Sequence, residues 1–392
     1  MITIPLVDLA AQHAAIAPEV ASGWQEVLAQ TAFVGGPQVA AFERDYAAFT
    51  GAEHCVGVAN GTDAIEIALR ALGVGPGDEC ILPANTFIAT AEAVCRAGAV
   101  PVLADCADDD TYLLDADAVA AAVTPRTRAI IPVHLYGQAA PVEQLLPLAD
   151  QAGAWIIEDA AQAQGARRHG QGVGSLGHAA ATSFYPGKNL GAYGDAGAVL
   201  TGSSDLAERM RMIRDHGSVR KYQHEVLGVN SRMDTLQAVV LSAKLRRLAA
   251  WNAARRGAAA RYDVALSGLD EVIRPRTLAG NEHVWHLYVV RVPDRDRVLR
   301  ELTSAGIGAG VHYPVPIHLT PAFASLRSAD RKLPVAERTA PELLSLPLFP
   351  EITADQQERV VAALTAAVSA ARPGPRAASS GARTWRMASR SG

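Results

Sequence analysis

The sequence predicts an α/β protein, a mainly parallel sheet with helices on both faces, followed by a smaller α+β region. Three observations predict it. Between about Cys55 and Leu200, short apolar runs alternate with helix-patterned stretches. Those runs are continuously apolar instead of alternating, as in strands covered on both faces. After about Met210 the alternation gives way to one long Ala/Arg-rich amphipathic stretch, then a strand and a helix.

The elements follow in order. "HCVGVAN" is a strand that runs into "GTDAIEIALRALGV", a helix starting near Thr62 or Asp63 with Ile65, Leu69 and Leu72 on one face. "DECILPA" leads into the helical "TFIATAEAVCRAG". "VPVLADC" precedes a helix near Asp115 to Val123, and "RAIIPVHLYG" is the next strand. "VEQLLPLADQAG" is a helix closed by Gly153. "AWIIEDA" and "ATSFYPG" complete the run of strands. "DTLQAVVLSAKLRRLAAWNAARRGAAARYDVAL" is one long helix, "VWHLYVVRV" a strand and "DRDRVLRELTSAG" a helix. This suggests a large domain over 1–245, a smaller one over 246–371, and a disordered Pro/Gly/Ser/Arg-rich tail over 372–392.

Composition narrows the function classes. A net charge of −4 gives no global electrostatic case for nucleic acid. Cys55, Cys80, Cys95 and Cys106 form no CxxC pair and there is no HExxH, so no metal is expected. Scattered cysteines fit buried thiols in a reducing cytoplasm. No apolar run approaches the roughly 20 residues of a membrane span.

Three glycine-rich features compete as ligand sites. "GVGSLG" (Gly172 to Gly177) has the letters of a dinucleotide fingerprint but follows polar residues and precedes a strand, so it reads as a surface loop. "VANGTDAIEIAL" has the right context: a strand ends, Gly61 lets the backbone approach a ligand, Thr62 adds a hydroxyl, and helix-start amides face outward. On that stretch alone, an anion site and an ordinary N-cap stay equally open. The third surrounds Lys188 in "SFYPGKNLG", an isolated amine on a glycine-rich bend. Partly desolvated, it would have a depressed pKa and serve as a Schiff-base nucleophile; a surface-turn lysine is the plain alternative.

Asp159 ends the apolar strand "AWIIED", and a carboxylate there needs a partner: a cation, a metal, a protonated heterocycle or the next helix's amides. Gln162 follows three residues later. One group unites an anion cradle, a cation-seeking aspartate and an imine-forming lysine: pyridoxal 5'-phosphate. Ser183 would add a phosphate hydrogen bond, and Phe87 in "ANTFIATA" would stack on the ring. His134 in "PVHLYG" reads as a hydrogen-bonded histidine beneath the cofactor, and Glu158 as a structural carboxylate.

Taken together, "FVGGPQVAAFE", "GVANGTDAIEIAL", "PANTFIATA", "IEDAAQAQGA", "SFYPGKNLG", "GDAGAVLT", "GVNSRMD" and "HYPVPIHLTPAF" make the chain resemble the DegT/DnrJ/EryC1/StrS family of sugar aminotransferases. The resemblance spans roughly residues 5 to 365. It implies a fold type I pyridoxal-phosphate transferase with a seven-stranded, mainly parallel sheet. By resemblance, Lys188 carries the cofactor and shuttles protons, and Asp159 holds the pyridine nitrogen. Gln162 packs near the ring, Phe87 stacks on it, and Gly61, Thr62 and Ser183 bind phosphate. Asn230 reaches the phosphate of a neighbouring subunit, which implies a homodimer with shared sites.

The resemblance also implies a ping-pong transamination from L-glutamate to a nucleoside-diphosphate-linked keto-deoxysugar. Tyr185, Lys221, His312 and Tyr313 match family members acting at C3, with C4 amination as the alternative. A sugar dehydratase is disfavoured because there the lysine is replaced by histidine. A non-catalytic regulator is disfavoured by the intact lysine and aspartate.

Overall fold

Local chemistry sets the element boundaries. In the computed structural model, which describes residues 3–324 and 332–369, α1 (Leu9–Ala14) starts on Asp8, whose carboxylate accepts from the Ala11 amide. The proposed tail over 372–392 lies outside the described residues. Both α2 (Ala17–Gln30) and α3 (Pro37–Thr50) carry proline in the first turn, where a missing N–H costs nothing. After β1 (His54–Val58), α4 (Gly61–Ala71) begins one residue before the sequence-based boundary. The reason is Asn60: its side chain accepts from the Asp63 amide at 2.8 Å and makes it the N-cap.

Then come β2 (Glu79–Pro83), α5 (Ala89–Arg96), β3 (Val100–Ala104), α6 (Ala116–Ala120) and β4 (Thr127–Ile130). Asp115 caps α6 through the Asp117 amide. α7 (Val142–Ala152) stops at Gly153 with φ 63°. β5 (Trp155–Asp159), β6 (Ala179–Ser183), β7 (Gly197–Thr201) and α8 (Ser204–Arg214) finish this half.

The seven strands form one sheet in the order β1-β7-β6-β5-β4-β2-β3. Every pairing is parallel except those of β7, which runs antiparallel to β1 and β6. The apolar strands are buried from both sides. Val56, Leu82 and Ile157 pack with Ile65, Ile67 and Leu69 of α4 and Val94 of α5 in one core. Each such fully buried aliphatic side chain contributes roughly 2–3 kcal/mol by leaving water.

The long helix α9 (Thr235–Ala265) links this core to a second. There β8 (Tyr288–Arg291), α10 (Arg295–Ser304), α11 (Pro334–Thr339), β9 (Leu343–Leu346) and α12 (Ala354–Ser369) follow. Strands β8 and β9 pair antiparallel. Tyr262, Tyr288, Val290, Leu302, Leu346 and Leu364 fill this core, and Ile4 of the N-terminal arm inserts into it. Conversely, Leu333 and Ala336, late in the chain, pack in the first core.

Two sequence readings change. The strand expected over "VWHLYVVRV" shortens to Tyr288–Arg291, because Trp285 takes φ 50°, outside the extended region. "GVGSLG" is no free surface loop. The amides of Gly174, Leu176 and Gly177 all donate to the buried carboxylate of Glu158. Among the described residues, no helix is long and apolar enough to cross a membrane.

Candidate active site

β5 and β6 are parallel neighbours in register, with Asp159 beside Ala181, so their carboxyl ends open on one place. A cavity of about 570 Å³ lies there. It is lined by Gly61, Thr62, Phe87, Asp159, Gln162, Ser183, Tyr185, Lys188, His312 and Tyr313, so most of the sequence-derived candidates converge. Lys221 and Asn230 do not. Both are exposed on the segment after α8, and Lys221 sits over the Tyr222 ring.

One end of the cavity is built for an anion. The Gly61 and Thr62 amides occupy the first helical positions of α4 and have no carbonyl of their own helix to bond. Gly61 is required by contact: a Cβ there would come within 2.7 Å of the Ser183 Cβ. The Ser183 hydroxyl accepts from the Tyr185 amide at 3.2 Å, which leaves its proton for a ligand.

Asp159 lines the cavity and is 6% exposed. One carboxylate oxygen accepts from Thr90 Oγ1 at 2.7 Å, and the other from the Ala161 amide at 3.1 Å. Fixed this way, and with no ion pair to it among the described residues, the carboxylate suits a protonated ring nitrogen. Gln162 is oriented by its neighbours: Oε1 accepts from the Tyr136 amide at 2.7 Å, so Nε2 donates to Tyr313 Oη at 2.9 Å. The Tyr313 phenol therefore keeps its own proton as a donor, and burial holds its pKa well above the usual value. Its ring lies 5.4 Å from that of Phe87, centre to centre. His312 Nδ1 meets Ser345 Oγ at 2.8 Å, and burial lowers its pKa to about 4. It is a neutral ring at physiological pH.

Lys188 rides a loop whose ends are tied to adjacent strands. The Phe184 amide donates to the Ala196 carbonyl and the Ala192 amide to the Phe184 carbonyl. The turn is so tight that a Cβ on Gly191 would lie 2.2 Å from the Pro186 carbonyl oxygen. Loss of water lowers the Lys188 pKa to about 8, and the Asp159 charge opposes that shift. A usable fraction of free amine follows at neutral pH.

His134 and Glu158 form a closed pair outside the cavity lining. His134 Nδ1 accepts from the Ala140 amide at 2.9 Å, so Nε2 donates to Glu158, also at 2.9 Å. With three loop amides already on that carboxylate, Glu158 has no free lone pair to offer chemistry.

Sequence reasoning missed Asn60, Thr90 and His286. Thr90 had a signal, since it stands one helical turn after Thr86 in "ANTFIATA". His286 was hidden inside an apparent strand.

An anion cradle, a carboxylate fixed for a ring cation, an aromatic wall and a free amine are what pyridoxal 5'-phosphate requires, and the residues fit it. The fold and cavity thus define a pyridoxal-phosphate-dependent transferase. The chain belongs to the DegT/DnrJ/EryC1/StrS aminotransferase family, whose profile matches residues 15–365. It is 49% identical over 360 residues to a pleiotropic regulatory protein of Geobacillus stearothermophilus, covering 91% of this chain and 96% of that one. It is 45% identical over 361 residues to dTDP-3-amino-3,4,6-trideoxy-α-D-glucose transaminase of Streptomyces venezuelae, covering 92% and 95%. The crystal structure of S. venezuelae DesV in complex with a ketimine intermediate superposes with a TM-score of 0.91 at 45% identity, covering 95% of this chain and 100% of that one.

Proposed function

We propose that the protein aminates C3 of a keto-deoxysugar carried on a nucleoside diphosphate, with L-glutamate as amino donor. One observation carries this reading. The Lys188–Asp159 cavity is walled on one side by His312 and Tyr313, uncharged at neutral pH, and the chain is similar over nearly its whole length to a 3-amino-sugar transaminase.

When bound, the cofactor supplies an aldehyde for amines and an electron-withdrawing ring. Gly61, Thr62 and Ser183 hold its phosphate. Phe87 covers the ring and Gln162 flanks it. Asp159, steadied by Thr90, holds the proton on the ring nitrogen. Lys188 Nζ takes a proton from the donor's amine-bearing carbon. In the second half-reaction it delivers one to the sugar carbon that gains the amine. The Tyr313 hydroxyl donates to a sugar oxygen, and Tyr185 lines the entrance.

The phosphate cradle gains its last donor from a second copy of this chain. The partner's Asn230 reaches the phosphate and the partner's Lys221 meets the diphosphate of the sugar nucleotide. Their exposure, and their place outside this chain's own cavity lining, support that reading. The relative named as a regulator does not displace it, because Lys188 and Asp159 both stand ready for turnover.

Paired 3-keto and 4-keto nucleotide sugars test the proposal. Amino transfer from L-glutamate to the 3-keto compound is expected. Transfer to the 4-keto compound alone would overturn the regiochemistry. A cofactor absorption spectrum unmoved by L-glutamate would reject that donor.

A further inference from the structure

His286 lies just before β8 and is 8% exposed, and its ring lines the cavity together with Lys188, Leu287 and His312. Its Nδ1 is 3.3 Å from Asn189 Oδ1. Asn189 is the residue after Lys188 and is buried. Groups that can only accept fix the direction of this contact. Asn189 Nδ2 donates to the Val284 carbonyl and to Asn252 Oδ1, both at 3.0 Å. Asn252 is oriented in turn, its Nδ2 donating to the Gln164 carbonyl at 2.9 Å. Two backbone carbonyls therefore settle both amides, and Asn189 Oδ1 is the atom left for His286.

An oxygen acceptor at that place requires the proton on His286 Nδ1. Burial, joined by the positive charges of Lys188 and Arg255, holds the ring's pKa well below normal, so it carries only that proton. Nε2 then carries only a lone pair, on a residue that lines the cavity together with Lys188. Among the described residues, the Lys188 amine has no hydrogen bond or ion pair of its own. An ammonium in such a place needs an acceptor.

We infer that His286, fixed as the Nδ1–H tautomer by Asn189, accepts a hydrogen bond at Nε2 from the Lys188 ammonium whenever that amine is free of the cofactor. His286 is thus a positioning residue. It holds the amine at one place between proton transfers, and it does so in both half-reactions. The inference rests on the aminotransferase reading above.

The tautomer is measured on the wild-type holoenzyme labelled with [15N]histidine. The chain has 11 histidines, and the spectrum of His286→Gln identifies the signal. A protonated Nδ1 with a bare Nε2 is expected; an Nε2–H tautomer or an imidazolium overturns the inference. Stopped-flow absorbance then reads the two half-reactions with L-glutamate and with dTDP-3-amino-3,4,6-trideoxy-α-D-glucose. His286→Phe should slow both by the same factor, roughly ten- to hundredfold, with neither substrate's affinity changed. His286→Gln should recover most of that loss, since its amide can donate to Asn189 and accept toward Lys188. A defect confined to the sugar half-reaction, or to sugar binding, overturns the inference, because the ring would then be reading the sugar. If His286→Phe does not fold, the tautomer still decides. If wild-type enzyme ignores L-glutamate, the proposed donor fails while the tautomer result stands apart.

Discussion

Two lysines in this molecule share a perturbation and nothing else. Lys188 and Lys244 are both shifted down to about 8 by loss of water. Lys188 lines a cavity, feels the Asp159 carboxylate and sits on a strand-to-strand loop. Lys244 is inside α9, 2% exposed, with its amine 5.2 Å from the centre of the Tyr193 ring, and among the described residues no carboxylate contributes to its shift. A depressed amine pKa is therefore a consequence of burial wherever it occurs. It becomes chemistry only where a ligand can reach it and where groups of the right charge face it.

The largest expected effect separates the two outright. Lys188→Ala should cost roughly a thousandfold or more in kcat, and borohydride reduction of the wild-type holoenzyme should tag the Lys188 peptide alone. A tag on the Lys244 peptide would break the distinction. Next comes Asp159→Asn, expected to lower kcat roughly a hundredfold and to lower the pKa of Lys188 further, since the lost carboxylate was raising it. An unchanged Lys188 titration, read from its acylation rate in cofactor-free protein, would show that the two groups do not communicate.

Thr90→Val should have a smaller effect, roughly tenfold on kcat, because Asp159 loses one of its two fixed hydrogen bonds but keeps the Ala161 amide. The smallest activity effect belongs to Lys244→Met, under twofold by steady-state assay on the order expected away from a site. Its effect on stability should be visible instead. The Lys244 pKa is lower folded than unfolded, so its ammonium costs stability below about pH 8, and that cost fades as pH rises toward the unfolded value. Lys244→Met should gain about 1–3 kcal/mol at neutral pH and show a flatter rise of stability into alkali, measured by urea titration.

The contrast also shows what a linear sequence carries. β1 to β6 were legible because each holds a short, mostly apolar run beside helix patterns, whereas β7 entered only through the seven strands that the family resemblance implies. The lysine, the aspartate and the anion cradle were legible because each lies at the end of one of those runs, where a parallel sheet places its ligands. The N-cap at Asn60 shifts a boundary by one residue and was a matter of one side-chain hydrogen bond. The partners of Thr90, of His286 and of the amides around Glu158 were not legible. Their roles arise from contacts between segments far apart in the chain, such as Thr90 with Asp159 and Asn189 with His286. A pattern read along one segment holds no record of what will be folded against it.

The long helix α9 has a mechanical consequence. It runs for 31 residues, about 46 Å at 1.5 Å per residue, without a proline. Leu241 and Leu248 are seated in the core beside β6 and β7, while Ala259 and Tyr262 are seated in the second core. Near the crossing, Arg255 is fully covered and donates to the carbonyls of Trp285, His286 and Leu348. The helix is thus a strut pinned at both ends and bolted in the middle. A wide hinge opening between the two cores would have to bend it and tear out a buried guanidinium. Traffic into the cavity therefore falls to side chains and short segments at its mouth, where Phe87 and Tyr185 stand half exposed.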